Sequence, residues 1–352
     1  MTLTKSQATI WEKARSVGAG EQGVVLSDAM CAYLLGRIVL DIGQRTHFPE
    51  IPSDLPALLT DQPATALVLP GIESRKLFER LLSAVPDTDT YFACLAALQK
   101  ARLKYERILA TQPLPTLQQV GPRALLQYGK LSSRALVSLL FWRKWFFDID
   151  NRAGQETGYL FEPLIAHAIG GAPAPASKSP VKRHRDKTKG RQVDCLIEKR
   201  AYEIKLRVTI AASGQGRWQE ELDFPRDCRK SGFTPVLVCL DDTRNPKLDA
   251  LEKAFHAQRG NVYLGDQAWK HLESLAGETM ARFLENYVRR PIQSLLAEGD
   301  KPPLNLRATF GPNLVELGFG NETLRIERGD DMPTDDSADA MPPDADDQSP
   351  GP

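Results

Sequence analysis

Three side chains near the middle of the chain have the types and spacing for chemistry: Asp194, Glu203 and Lys205. Glu203-Ile204-Lys205 is the only Glu-x-Lys tripeptide in the sequence. Both carboxylates lie in alternating stretches. Val193, Cys195 and Ile197 fall on one side of the first and Asp194 on the other; in the second, Ile204, Leu206 and Val208 oppose Glu203, Lys205 and Arg207. Period-two alternation predicts two half-buried strands. Glu198-Lys199-Arg200 is a connector of hairpin length. A turn centred on Lys199 sets Asp194 opposite Ile204, and a one-residue shift sets it opposite Glu203. Directly opposed Cβ atoms lie about 4.5–5.5 Å apart. Two carboxylates then converge with an ammonium beside them.

Like charges held that close repel. A divalent cation reverses the sign, and carboxylate oxygens are the ligands Mg²⁺ prefers. The chemistry that suits such a group is phosphodiester hydrolysis. The metal lowers the pKa of a bound water and offsets charge on the phosphate. A lysine beside it orients or deprotonates the water and stabilises the anionic transition state. The bland alternative for Glu-x-Lys alone is two surface strands with ordinary charges. The paired Asp194, the matching faces and the elements that follow weigh against it.

Those elements make an α/β core. Gln215–Gly232 predicts a helix with Trp218 and Leu222 on one face, a break near Pro225 and a stop at Gly232. Pro235–Leu240 is apolar and β-branched, as in a strand buried on both faces. Upstream, Gln155–Ile169 suits a helix that starts late or kinks at Pro163, after a loop or cap at Asn151–Gly154. Ala172–Pro180 reads as irregular. Helix, hairpin, helix and strand in that order define an α/β arrangement.

The flanks read differently. Residues 1–150 are mostly helical, with helical patterns at Asp28–Val39, Tyr91–Ala110 and Ser132–Phe147. Leu136, Leu139, Leu140, Trp142, Trp145 and Phe146 are expected in the core, because apolar residues at helical spacing are usually packing. The Pro-rich stretch Phe48–Pro70 reads as surface loop. Residues 250–297 return to helix, and Arg307–Glu327 suggests a hairpin turning near Gly320-Asn321.

Charge points to a polyanion. The 352 residues carry 45 Lys plus Arg and 45 Asp plus Glu. Eight of the Asp residues lie in 330–352, which has no Lys or Arg, so the rest of the chain carries 45 basic against 37 acidic residues. The tail composition is that of a disordered segment. The most basic window holds Lys178, Lys182, Arg183, Arg185, Lys187, Lys189 and Arg191 against Asp186 alone. Its bland reading is a solvated loop; its functional reading is phosphate contact, which needs only positive charge near the duplex. Gln215, Arg217 and Gln219 open the next helix, and Arg217 and the two glutamines are candidates for phosphate or base-edge contacts, with Ser213–Gly216 a candidate phosphate nest; the bland reading is an exposed first turn of a helix.

Other classes are excluded. The 42% apolar content rules out a collagen, a coiled-coil rod and a wholly disordered chain. Five scattered cysteines (Cys31, Cys94, Cys195, Cys228 and Cys239) and five histidines show no metal-ligand spacing. The cysteines read as buried hydrophobes in a reducing cytoplasm. Met1–Val17 has no apolar leader segment, and the most apolar run, Ala135–Trp142, is too short to span a membrane. Neither a Walker-type nor a Gly-x-Ser-x-Gly motif occurs.

Asp194 with Glu203-Ile204-Lys205 on a hairpin, then a helix and a strand, resembles the PD-(D/E)xK nuclease superfamily. That resemblance implies a restriction-endonuclease-like core, a mixed central sheet flanked by helices. It also implies a glutamate from the preceding helix. Gly158-Tyr159-Leu160-Phe161-Glu162 fits that setting, so Glu162 is the third acidic candidate and Glu156 the runner-up. The bland reading of Glu162 is a helix-start carboxylate favoured by the dipole. Val193, rather than Pro, precedes Asp194. More narrowly, NRAGQETGYLFEP (Asn151–Pro163), KGRQVDC (Lys189–Cys195), YEIKLRVTIAASGQGRWQEELDFP (Tyr202–Pro225) and SGFTPVLVCLD (Ser231–Asp241) resemble the ApaLI-like restriction endonucleases. This implies Mg²⁺-dependent double-strand DNA cleavage at a short palindrome, leaving 5′-phosphate and 3′-hydroxyl ends, by a homodimer partnered genetically with a methyltransferase. A two-fold dimer presents one active site to each strand of a palindrome.

The expected organisation is a mostly helical region 1–150, a nuclease core 151–245, a helical and hairpin region 246–328 and an acidic tail 329–352. Three alternatives remain: a repair or junction-resolving nuclease, a DNA-binding module without catalysis, and an interaction protein with an acidic tail.

Overall fold

The computed structural model describes residues 3–17, 23–129, 131–207, 215–299 and 301–328, with only the backbone at 215–217. In chain order the elements are α1 (Lys5–Arg15), α2 (Asp28–Asp41), α3 (Ser74–Ala84), α4 (Thr88–Thr111), α5 (Leu117–Val120), α6 (Ser133–Ala168), β1 (Ala172–Ala174), β2 (Val193–Ile197), β3 (Arg200–Lys205), α7 (Gln215–Lys230), β4 (Thr234–Cys239), α8 (Pro246–Ala257), β5 (Asn261–Leu264), α9 (Asp266–Leu284), a π-helical turn (Glu285–Arg289), α10 (Arg290–Glu298), β6 (Leu306–Gly311), β7 (Leu314–Phe319) and β8 (Glu322–Glu327). They form two compact units. Among the described residues, one comprises 3–17, 24–100, 158–207 and 215–298; the other comprises 23, 101–129, 131–157, 299 and 301–328, so α4 and α6 each contribute to both.

The larger unit is built on a five-stranded sheet of order β1-β2-β3-β4-β5. β1, β2 and β3 are antiparallel neighbours, whereas β4 runs parallel to β3 and β5 to β4. The parallel steps require crossovers, which α7 and α8 supply. On one face Ala201 and Leu237 pack with Phe224, Cys228, Leu251 and Phe255 of those helices. On the other, the Tyr202 hydroxyl lies 3.3 Å from His271 Nε2 of α9, whose ring stacks on Tyr263 at 3.8 Å. β4 is buried from Pro235 to Cys239, as its apolar run requires.

The N-terminal part of this unit wraps a buried helix. Ser27 caps α2 by accepting from Met30 N at 3.2 Å, and Cys31 to Leu35 are fully buried. The stretch Phe48–Pro70, expected at the surface, instead buries Phe48, Ile51, Leu55, Leu58, Leu67 and Leu69. Gly36 makes this possible, since a Cβ there would stand 3.0 Å from Leu55 Cδ2 and 3.3 Å from Leu69 Cδ2. Prolines set the path of the stretch, while the apolar residues between them supply burial.

The smaller unit pairs part of α6 with a three-stranded antiparallel sheet, β6-β7-β8. Trp145, Val315, Leu317 and Ile326 form its core, with Trp142 and Phe146 half-buried against it. Leu136 and Leu140 are buried as expected, but Leu139 is exposed. The turn at Gly320-Asn321 is where the sequence places it; the expected hairpin gains a third strand through a second turn at Pro312-Asn313.

Other expectations change in physically simple ways. Asn151–Gly154 is helical, and α6 runs through both it and Pro163. α7 likewise passes through Pro225 without ending. One proline removes a single helical hydrogen bond, and the buried faces of these helices outweigh that loss. β1 and β5 went unread because they are short and lack alternation. All five cysteines are buried thiols. The expectations for Val208, for the Ser213–Gly216 nest, for the Gln215 and Arg217 side chains and for the acidic tail lie outside the described residues.

Candidate active site

The hairpin turn decides the geometry of the site. Cys195 pairs with Tyr202, Leu196 with Ala201 and Ile197 with Arg200. These pairs follow the shifted of the two registers and end at Cys195–Tyr202, so Asp194 and Glu203 are the next residues along their strands, beside a register shift between β1 and β2. The connector has two residues, because Arg200 belongs to β3 and Glu198 takes a left-handed backbone, φ 52°. The alternation then places Asp194, Glu203 and Lys205 on the sheet face that α7 covers.

Asp194 is 9% exposed, and its Oδ2 accepts from Ile204 N at 2.8 Å. Burial raises its pKa well above the ordinary aspartate value; Glu203 and Glu162 add to the rise, and Lys205 opposes it. Lys205 Nζ lies 2.7 Å from Glu203 Oε1 and 3.8 Å from Glu221 Oε1. Burial by itself would weaken the Lys205 ammonium, but Glu203, Asp194 and Glu221 outweigh it and hold the pKa above the ordinary lysine value.

Glu162 joins this group from α6. Its side chain folds back over Gly158, where an added Cβ would lie 3.5 Å from Glu162 Oε1. Burial pushes its pKa up to about 7; Lys205 opposes the shift, and Glu203 and Glu221 reinforce it. Glu156 is engaged elsewhere, 2.8 Å from Lys104 Nζ and 3.7 Å from Arg152 Nε. The geometry thus gathers Glu162, and not Glu156, with Asp194, Glu203 and Lys205.

Glu221 of α7 is the member that sequence reasoning missed. A signal existed: with Trp218 and Leu222 it falls on the helix stripe that faces the sheet, where an apolar residue is the default. Four carboxylates therefore surround one ammonium. That donor set fits a hard divalent cation, because all its free ligands are oxygens and its negative charge is in excess. As they stand, no three His, Cys, Asp or Glu side chains among the described residues are disposed to hold one ion.

A pH dependence follows from these shifts. Glu162 binds a proton more tightly folded, with a pKa of about 7, than unfolded, near 4.5. Metal-free protein should therefore lose stability as pH rises through 7 and regain it toward pH 5. Thermal melts in EDTA between pH 5.5 and 8.5 measure this, and Glu162→Gln should flatten the slope. An unchanged slope in that variant would show that the carboxyl does not titrate there.

The basic window is an ordered lariat held against α7. Arg183 N donates to Lys189 O at 3.0 Å and Arg191 N to Val181 O at 2.8 Å. Arg183 Nη1 reaches Glu220 at 2.5 Å, and Arg185 Nη2 reaches Asp223 at 3.0 Å. Arg191 is 8% exposed and bonds Asp227 at 2.8 Å, which also accepts from His184 N and lies 2.7 Å from His184 Nδ1. Lys182 is half-buried, with its backbone N–H on Ser231 Oγ at 2.8 Å. Lys187 and Lys189 are exposed. The expected DNA-binding residues thus divide into anchors, Arg183 and Arg191, and outward groups, Arg185, Lys187 and Lys189.

An α/β core that sets two carboxylates and a lysine on adjacent strands is a nuclease-type arrangement. The chain belongs to the ApaLI-like restriction endonuclease family, which it matches over residues 65–289. It is 50% identical over 262 residues to the type II restriction enzyme ApaLI of Acetobacter pasteurianus, covering 70% of each chain. No solved structure matches it. No described helix is long and apolar enough to cross a membrane.

Proposed function

We propose that this protein is a Mg²⁺-dependent type II restriction endonuclease that cuts both strands of DNA at a short palindrome, leaving 5′-phosphate and 3′-hydroxyl ends. The observation that carries this reading is that Asp194 and Glu203, next after the last β2–β3 pair, lie close enough to act on each other's charge, with Lys205 2.7 Å from Glu203. Asp194 and Glu203 would hold the ion, with Glu162 as auxiliary ligand. When bound, Mg²⁺ supplies Lewis acidity toward the scissile phosphate and a water of lowered pKa. Lys205 keeps its proton, so it donates: it orients the attacking water and stabilises charge gathering on the phosphate oxygens. Glu221 and Glu203 aim that ammonium. Lys187 and Lys189 contribute phosphate contacts, with Lys182, Arg183 and Arg191 supporting the loop that carries them.

A palindromic target implies a homodimer, one site for each strand. The enzyme acts in the cytoplasm beside a methyltransferase that protects host DNA. Digestion of phage DNA by the purified full chain tests this reading. Discrete fragments with sequence-fixed ends are expected in Mg²⁺, and none in EDTA. Random nicking would point to a repair-type nuclease, and DNA retention without cleavage to a binding module; either outcome overturns the reading.

A further inference from the structure

α7 presents two stripes. Trp218, Glu221 and Leu222 face the sheet, where Glu221 meets Lys205. Gln219, Glu220, Asp223 and Asp227 face the basic loop and line with it a cleft of about 380 Å³. A surface built only to hold phosphates gains from uniform positive charge. This cleft alternates in sign, and carboxylates facing a phosphate would repel it.

Exposure separates the arginines. In the ion pairs, the Arg183 and Arg191 side chains are 29% and 9% exposed, but that of Arg185 is 66% exposed. Its partner Asp223 is 17% exposed and sits behind it at 3.0 Å. The carboxylate engages one nitrogen of the guanidinium, and the side chain is otherwise largely open to solvent. Gln219 is exposed beside it, and its Nε2 donates to Asp223 Oδ1 at 3.2 Å. That bond uses an amide donor and leaves the carbonyl of this exposed side chain available as an acceptor. One half-buried carboxylate therefore contacts two exposed side chains, a guanidinium that donates and an amide that can donate and accept. Major-groove base edges carry both kinds of group, and arginine on guanine and glutamine on adenine are matched pairs.

We propose that Arg185 and Gln219 read base edges and determine the sequence that is cut, with Asp223 as the positioning residue that aims both. The inference rests on the endonuclease reading above and deepens it. Helix rigidity supplies a further argument. Gln219 and Asp223 lie two residues on either side of Glu221, so one helix carries Gln219, the carboxylate that contacts Arg185 and the carboxylate 3.8 Å from Lys205. Such a link sets the spacing between the base read and the bond cut.

The test is to digest phage DNA with wild type, Arg185→Ala, Gln219→Ala and Asp223→Ala and to sequence all fragment ends. Wild type should give one short sequence. Arg185→Ala should relax it at one symmetric pair of positions, with preference there falling about ten- to a hundredfold. Asp223→Ala should relax the same positions. The slope of log affinity against log salt should stay unchanged in Arg185→Ala, since base contacts release no counterions. Unchanged ends in all three variants overturn the inference, whether the rate falls or not. Unchanged ends with a shallower slope would identify Arg185 as a phosphate contact. For a variant that no longer cuts, binding in Ca²⁺ to the wild-type site and to single-base-pair variants of it gives the same ratio. Wild-type ends without a common sequence would overturn the endonuclease reading itself, which distinguishes the two failures.

Discussion

Asp194→Asn should abolish cleavage, lowering the rate about a thousandfold or more, and should leave DNA binding in Ca²⁺ intact. Asparagine keeps the shape and keeps an acceptor for Ile204 N, which Asp194 bonds at 2.8 Å. It loses the charge that would hold a cation. Interactions of several kcal/mol at a metal site correspond to about 10³ in rate at about 1.4 kcal/mol per tenfold. The same change should raise thermal stability. Asp194 is buried beside Glu203 and Glu162, and its pKa lies well above the ordinary value, so its ionised form opposes folding at neutral pH. Function and stability are thereby set against each other at one atom group, as strained active sites often show. Lys205→Ala should abolish cutting as well, and the double variant should be no worse than the poorer single one, because the two groups act on one event. Cleavage assays and melting curves on purified proteins check both halves. Retained cutting, or inactivity accompanied by a lower melting temperature in Asp194→Asn, would contradict the assignment.

The second large effect is structural. Asp227→Ala should destabilise the larger unit by about 3–5 kcal/mol, the typical cost of breaking a buried ion pair and leaving its partner uncompensated. Asp227 is fully buried and accepts from His184 N at 2.6 Å and from Arg191 Nε at 2.8 Å. Removing it leaves the Arg191 guanidinium, which is 8% exposed, with only Glu220, whose carboxylate is 3.4 Å away and whose backbone carbonyl accepts at 3.1 Å. Arg185→Ala is the contrast, since that rim pair is worth about 0–1 kcal/mol. Urea unfolding of the two variants separates them. Equal, small shifts would mean that the loop is not pinned to α7 through Asp227.

The chemical triad was legible because it depends on alternation, which a strand writes directly into its sequence. Asp194, Glu203 and Lys205 share a face for that reason. Their register was less so. It turned on whether Arg200 lies in the turn or the strand, and the left-handed backbone at Glu198 decides that. Glu162 could be named only through the resemblance, because a carboxylate four residues beyond Gly158 carries no periodic signal of its own. Glu221 escaped because a charge among apolar helix positions is ordinarily read as a surface group. The basic loop was visible as charge, but its division between buried anchors and outward groups was not. That division is made by Glu220, Asp223 and Asp227, some thirty to forty residues later. Phe48–Pro70 misled for a related reason: proline density marks irregular backbone, and irregular backbone is not always surface.

Crystals of the protein with DNA and Mn²⁺, measured for the anomalous signal of manganese, would test the central assignment most directly. The expected result is a peak touching the carboxylates of Asp194 and Glu203, with the scissile phosphate on its open side and Lys205 beside it. Manganese bound elsewhere, in crystals of an enzyme that needs Mn²⁺ to cut in solution, would contradict it.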